Sequence, residues 1–184
     1  MAAEKKGQLH WSEIGLLDLR NAAPEDQLEL PDVIQGANPS DPAEVALHVL
    51  EMALGFADGV NEIELASPLG TVAVRREYLP HLVEKRMHGR ERYGQVVLAT
   101  LADPFEIWQV EYDDDSYRMA YIGLFKGKTQ MLVIVNYLPD RVLWNFMQSD
   151  HKSLNKHRHG MLLYERSKKT KGEPLTGSPE PALV

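Results

Sequence analysis

Cysteine is absent from the chain. That excludes a disulfide framework, a thiol nucleophile and a thiolate metal site, and it is compatible with a reducing compartment. Long apolar runs are missing as well. The longest is about MLVIV, Met131 to Val135, far below the ~20 residues that a membrane helix needs. The start, MAAEKKGQLHW, holds no apolar segment to act as a secretory signal, so the expectation is a protein that does not use that export route and meets no membrane. Four motifs are also lacking: the GxxxxGK[ST] loop, the GxGxxG turn, the HExxH helix and the GxSxG elbow. The nucleotide-cofactor, zincin and hydrolase-elbow chemistries therefore lack their signatures.

What is present is acidic overall and basic in places. The formal charge is −7, but residues 1–70 hold thirteen acids against three bases, whereas residues 71–184 hold fourteen acids against seventeen bases. Two stretches concentrate the cations. Residues 74–92 carry six Lys/Arg to three Glu, and residues 151–171 carry seven to one. Local patches of this kind can hold phosphates even in an acidic protein; solvated helix faces are the other reading of such runs.

With 184 residues, one core can form without staples. Residues 1–42 read as an acidic, largely irregular leader, in which Trp11, Ile14, Leu16 and Leu17 form a small cluster that can dock on the main domain or on a partner. Asp41-Pro42 gives an N-cap and a first-turn proline. Ala46, Leu47, Leu50, Ala53 and Leu54 continue as an amphipathic helix that stops near Gly55 or Gly59. In EIELASPLGTVAV the turn Ser67-Pro68-Leu69-Gly70 predicts a short hairpin or two extended segments. The stretch Val74–Arg92 predicts a basic helix, and Gly89 divides it from a second helix, Arg90–Ala102, with the stripe Tyr93, Val96, Val97, Thr100 and Leu101. Four strands follow at 106–112, 117–125, 130–136 and 142–147, joined by DDDS, KGKT and YLPDR, and a fifth lies at 161–164. Turns this short predict an antiparallel meander. The fold class is α+β: two or three helices followed by a four- to five-stranded antiparallel sheet over 43–166, with a disordered tail at 167–184.

On a helix through Val74–Arg92, His81, Glu84, Lys85 and His88 share one face, and Leu79, Leu82 and Val83 lie opposite. Imidazole suits proton transfer near neutral pH, so His81 is the first candidate for acid or base, with Lys85 one turn on as a phosphate contact. His81 also fits a structurally hydrogen-bonded histidine, and Lys85 a plain solvent-facing lysine. Arg75, Arg76, Arg90 and Arg92 surround this face as phosphate contacts or as solvated charges. A second constellation, Lys156, Arg158 and His159, precedes the last strand and is either a substrate contact or an exposed basic turn. Arg118, Tyr121 and Asn145 lie on strands between the two. Trp108 and Trp144 read first as core aromatics and second as surfaces for base stacking. The histidines sit among cations that would repel a metal, and Asp113-Asp114-Asp115 lacks calcium-loop spacing, so neither a metal nor a cofactor is expected.

The segments RREYLPHLVEKR, RERYGQVVLATLADPFEIW, YRMAYIGLFKGK, LWNFMQSD and LNKHRHGMLLYER, in that order, resemble the phage-associated branch of the barnase, EndoU, colicin-type and RelE nuclease superfamily. Such domains commonly form the C-terminal part of phage Mu-like head morphogenesis proteins and of related toxins. The likeness runs from about Ala66 to Arg166, and WSEIGLLDLR resembles the segment that precedes such domains. It implies helices before a four-stranded antiparallel sheet, a metal-independent RNase-type site on the sheet face, and RNA, with tRNA a candidate, as substrate. The positions it carries over are His81 and Lys85, then Arg118, Tyr121, Asn145 and Arg158. It further implies a phage head protein or an immunity protein as partner, and a phage particle or host cytoplasm as location. Independently of the resemblance, the acidic leader favours a toxin inhibitor as a third role, and it could also act in cis by covering the basic cleft.

Overall fold

Four successive segments of alternating apolar residues build the centre of the molecule. They are β3 (Glu106–Glu111), β4 (Tyr117–Gly123), β5 (Gln130–Asn136) and β6 (Val142–Ser149), each antiparallel to the next. A computed structural model describes residues 2–137 and 139–166; the tail expected to be disordered lies outside them. Side chains on a strand point alternately to opposite faces. Here Ile107, Met119, Tyr121, Val133 and Val135 enter one core, while Trp108, Val110, Ala120, Ile122 and Leu132 enter a second. A sheet apolar on both faces needs cover on both.

The first face is covered by three helices, α1 (Ala43–Leu54), α2 (Pro80–Val83) and α3 (Gly94–Ala102). α1 stops at Gly55, whose φ of 90° suits a left-handed cap. Its start differs from expectation: the helix begins at Ala43, and the Asp41 carboxylate instead accepts from the Asn38 amide at 3.0 Å. α1 and α3 approach so closely that a Cβ at Gly94 would sit 2.5 Å from the Ala53 Cβ. The helix expected from Arg90 starts at Gly94, and the expected stripe, Tyr93 just before α3 and Val96, Val97, Thr100 and Leu101 within it, is buried throughout.

The second face is covered by α4 (His151–Asn155) and by the leader. The leader forms 3-10 turns at Trp11–Ile14, Leu19–Asn21 and Pro24–Asp26 and bridges the sheet through Glu4–Tyr112, His10–His159 and Leu28–Phe125. Leu19 is 1 % exposed, and Trp11 and Leu16 pack on the same core, whereas Ile14 and Leu17 stay exposed.

Two expectations need correction. The sheet has seven strands and is mixed, in the order β1-β2-β6-β5-β4-β3-β7. β1 (Glu62–Leu65) and β2 (Val72–Arg75) form the hairpin turned at Ser67–Gly70, and β2 joins β6 in parallel, with the Ala73 amide donating to the Arg141 carbonyl at 2.8 Å. Burial of Val72 and Val74 at 0 % exposure draws the hairpin into the sheet. β7 (Met161–Glu165) closes the other end on β3.

The second correction concerns 74–92, which is not one helix. Val74 and Arg75 belong to β2, a 3-10 turn holds Arg76–Tyr78, α2 is a single turn opened by Pro80, and Lys85, at φ −81° and ψ 79°, leaves helical geometry before the 3-10 turns Arg86–His88 and Arg90–Tyr93. Leu79, Leu82 and Val83 are buried as expected. The continuous polar face of His81, Glu84, Lys85 and His88 does not form, because the chain turns to fit the hairpin on one side and α3 on the other.

Candidate functional site

β6 carries one residue more than β5 opposite it. Ile134 pairs with Asn145 and Val135 with Leu143, so Trp144 has no partner and the strand bulges there. Such a bulge re-aims a side chain and frees backbone groups. Both consequences are visible. The Trp144 carbonyl lies 3.0 Å from Nε2 of His81, which α2 presents to solvent while Leu82 and Val83 anchor that turn in the core. A carbonyl can only accept, so Nε2 carries the proton and, in the neutral ring, Nδ1 is left with its lone pair free. The Trp144 ring, partly exposed, meets His81 at 5.6 Å and the edge of Tyr78 at 5.9 Å.

Cations flank the bulge. Arg90 Nη1 donates to Asn145 Oδ1 at 2.9 Å, and the same oxygen accepts from the Phe146 amide at 2.9 Å. The Arg118 guanidinium lies over Tyr112 at 4.3 Å and more loosely over Trp144 at 5.7 Å. Neither arginine forms an ion pair among the described residues. Asp114, the carboxylate that feels the Arg118 charge, is engaged by the Ser116 amide and hydroxyl. Burial holds the Arg90 guanidinium below its ordinary pKa, yet it remains a cation at neutral pH. A desolvated cation without a counter-charge is costly and is met best by an anion accepting several N–H bonds, as phosphate does. Four sequence candidates thus come together: His81, Arg90, Arg118 and Asn145.

The other candidates are placed elsewhere or are otherwise engaged. Lys85 is exposed after α2 and forms no ion pair among the described residues. Arg92 donates to the Gly89 carbonyl at 3.1 Å and lies over the Tyr93 ring. Arg75 is paired with Glu62 at 2.9 Å and Asp140 at 2.8 Å. Arg76 lies over Phe56, 3.8 Å from Glu51. Arg75 and Arg76 line an open pocket of about 600 Å³ with Glu51, Asn61, Glu62, Glu77 and Pro80. Tyr121 is 0 % exposed in the first core and its hydroxyl reaches Ser67 Oγ at 2.9 Å, a burial that raises its pKa. In the second constellation Lys156 is exposed. His159 is pulled above its ordinary pKa by the Glu4 carboxylate 2.7 Å away. Arg158 is 1 % exposed and gripped by Glu106 at 2.6 and 2.7 Å, with Nη1 donating to the Leu17 carbonyl and to Asn155.

Tyr78, Tyr112 and Glu91 stand at contacts that residue type alone does not signal. Glu91, between two arginines in sequence, is 0 % exposed and holds Arg86 and the Ala37 amide. The leader reaches this segment with its backbone: the Ile34 amide donates to the Arg92 carbonyl, and Arg86 donates to the Asn38 carbonyl. A Cβ at Gly36 would lie 2.8 Å from the Arg92 and Glu91 side chains. Among the described residues no three His, Asp or Glu side chains gather as a metal site, and no helix is long and apolar enough to cross a membrane.

A histidine whose Nε2 meets a backbone carbonyl thus stands beside two arginines that form no ion pair among the described residues, on an α+β scaffold. Residues 50–165 match the family described as phage-Barnase-EndoU-ColicinE5/D-RelE like nuclease 2, which is more than half of the chain. The chain belongs to this phage nuclease-like family, and its fold is nuclease-like. Comparison with curated proteins and with solved structures finds no match.

Proposed function

We propose that the chain is a phage- or prophage-encoded, metal-independent endoribonuclease domain that cleaves RNA, with tRNA a candidate, by attack of the 2′-hydroxyl on the adjacent phosphate. The observation that carries this is the arrangement at the bulge: among the described residues, Nε2 of His81 bonds the Trp144 carbonyl while Nδ1 makes no hydrogen bond, and Arg90 and Arg118 form no ion pair. His81 Nδ1 takes the 2′-hydroxyl proton as the 2′-oxygen bonds to phosphorus; the bond from phosphorus to the 5′-oxygen breaks, leaving a 2′,3′-cyclic phosphate, and the departing 5′-oxygen takes a proton from water. Arg90 and Arg118 stabilise the charge that grows on the phosphoryl oxygens, and Asn145 holds Arg90 in place. Lys85, exposed just after the turn that carries His81, is a further phosphate contact, and the protein acts in the host cytoplasm or the phage particle.

General acid–base catalysis contributes roughly 10²–10⁴-fold. The test is incubation of the purified chain with total RNA in EDTA, beside His81→Ala and Lys85→Ala. Loss of cleavage on that scale in folded His81→Ala supports the reading; unchanged cleavage rejects His81 as the proton carrier. The second reading, a noncatalytic accessory protein of the phage head, is favoured by one observation. His81 is the sole histidine placed at the bulge among the described residues, with His159 held by Glu4 instead. It predicts RNA or protein binding without cleavage by wild type.

A further inference from the structure

The sequence left Trp108 and Trp144 equal as candidates for stacking on a base, and the structure separates them. Trp108 is 0 % exposed, and its Nε1 donates to buried Glu106 at 2.8 Å. Trp144 lies on a strand of the same sheet, but as the extra residue of the β6 bulge it escapes the alternation that buries its neighbours Leu143 and Phe146. An indole turned out of the core in this way loses apolar burial that the strand could have supplied. The bulge is nevertheless secured from outside the strand, by His81 on the Trp144 carbonyl and by Arg90 on Asn145.

The surroundings select the ligand. Tyr78 meets the indole edge-on, and Arg118 is stacked closely on Tyr112 but only loosely over Trp144. A polypeptide anion would satisfy the arginines and leave the ring idle; a duplex would satisfy the arginines while keeping its bases stacked on each other. An unpaired nucleotide uses both, because its phosphate meets the guanidiniums while its base lies on the indole.

We propose that the ligand of this site is single-stranded RNA, and that Trp144 is the platform on which one unpaired base stacks beside the phosphate held by Arg90 and Arg118. The inference rests on the nucleic-acid reading above and deepens it, since it selects unpaired strands over duplexes. Stacking of a base on an aromatic side chain is worth roughly ten- to a hundredfold in affinity.

The test uses the full chain and a fluorescently labelled 2′-O-methyl oligoribonucleotide, which lacks the attacking hydroxyl and so reports binding alone. The strand is offered alone and annealed to its complement, to wild type, Trp144→Ala, Trp144→Phe and His81→Ala. Expected are tighter binding of the single strand by wild type, a ten- to hundredfold loss in Trp144→Ala confined to the single strand, near-wild-type affinity in Trp144→Phe, and quenching of tryptophan emission by the strand in wild type that Trp144→Phe lacks. Trp144→Phe also guards against a folding defect in Trp144→Ala. Equal single-strand affinity of Trp144→Ala and wild type, or equal losses on strand and duplex, overturns the stacking platform. If RNA cleavage still depends on His81 in that case, the nuclease reading survives it; if wild type binds as expected yet never cleaves, the platform stands and the nuclease reading falls.

Discussion

Replacing Glu106 by Gln should destabilise the domain by about 3–5 kcal/mol, because it strands a cation inside the second core. The Arg158 and Glu106 side chains are each 1 % exposed and joined by two bonds, Nε to Oε2 at 2.7 Å and Nη2 to Oε1 at 2.6 Å. Glu106 Oε2 also accepts from Trp108 Nε1 at 2.8 Å, and Arg158 Nη1 serves the Leu17 carbonyl and Asn155. Glutamine keeps the shape and removes the charge, so the loss measures the unmatched guanidinium. Arg158→Met strands the carboxylate instead and should cost a similar amount. In the double variant both charges are gone, and its cost should fall well short of the sum, giving a coupling of several kcal/mol. A domain of this kind has about 5–15 kcal/mol in total, so each single change consumes a large share. Urea unfolding followed by tryptophan emission at neutral pH gives all three numbers. A single-variant cost below about 1 kcal/mol, or strict additivity, would refute the assignment of a structural ion pair. So would an RNA affinity of folded Arg158→Met that drops by more than its unfolded fraction explains, for Arg158 would then be the substrate contact that its place in the sequence first suggests.

Two further predictions concern charge. Glu4 holds the leader to His159, and the sign of its pH dependence follows from both partners: His159 is raised from 6.5 and Glu4 lowered from 4.5. The raised His159 stabilises below its unfolded value and loses that contribution as pH climbs through its folded value, while the lowered Glu4 stabilises above its unfolded value and loses it as pH falls through its folded value. The stability difference between wild type and Glu4→Gln should therefore peak between those ordinary values and shrink in alkaline solution. His10 and His157, lowered chiefly by burial, oppose folding as they protonate, so the difference between variants is the quantity to read; a difference that grows toward pH 9 contradicts the pair. The second prediction is that Arg90→Ala and Arg118→Ala each reduce the salt slope of RNA binding by about 0.7 to 1, the value of one lost phosphate contact, whereas Arg75→Ala, already paired with Glu62 and Asp140, leaves the slope unchanged; equal effects at all three positions would contradict the site.

Periodicity carried the parts of the fold in which neighbours in sequence decide the outcome. The α3 stripe from Tyr93 to Leu101 and the alternation along β3 to β6 are of this kind, since a residue's face follows from its spacing alone. Residues 74–92 failed for a reason of the same physics. His81, Glu84, Lys85 and His88 do have helical spacing, but Val72 and Val74 are buried by pairing with β6, whose Val142 lies far along the chain. That burial fixes β2 as a strand and pulls the next residues out of helical register. The strand count erred with it, because the β1–β2 hairpin reads as a local feature until its partner is known. Arg158 shows the limit for the site. Its flanks, Lys156, His157 and His159, describe a basic turn, and the carboxylate that neutralises it is contributed by Glu106 from β3.

An acidic total charge is compatible with the proposed phosphate-binding site because the cations divide by what lies opposite them in space. Arg75, Arg76, Arg86 and Arg158 face Glu62 and Asp140, Glu51, Glu91 and Glu106. Each such pair adds to the charge count on both sides and little to the field beyond itself. Arg90 and Arg118 form no such pair among the described residues, and they stand where the β6 backbone bulges and an indole leaves the core. The bulge therefore sets the site: without the extra residue, Trp144 would alternate with its neighbours, its carbonyl would join the ladder to β5, and His81 would lose the acceptor that fixes its tautomer. Neither the number of bases nor the helical spacing of His81 and Lys85 decides where an anion can bind. On the proposed reading what decides is Arg90, desolvated by the fold, without an ion pair among the described residues, and held at the bulge by Asn145 of β6.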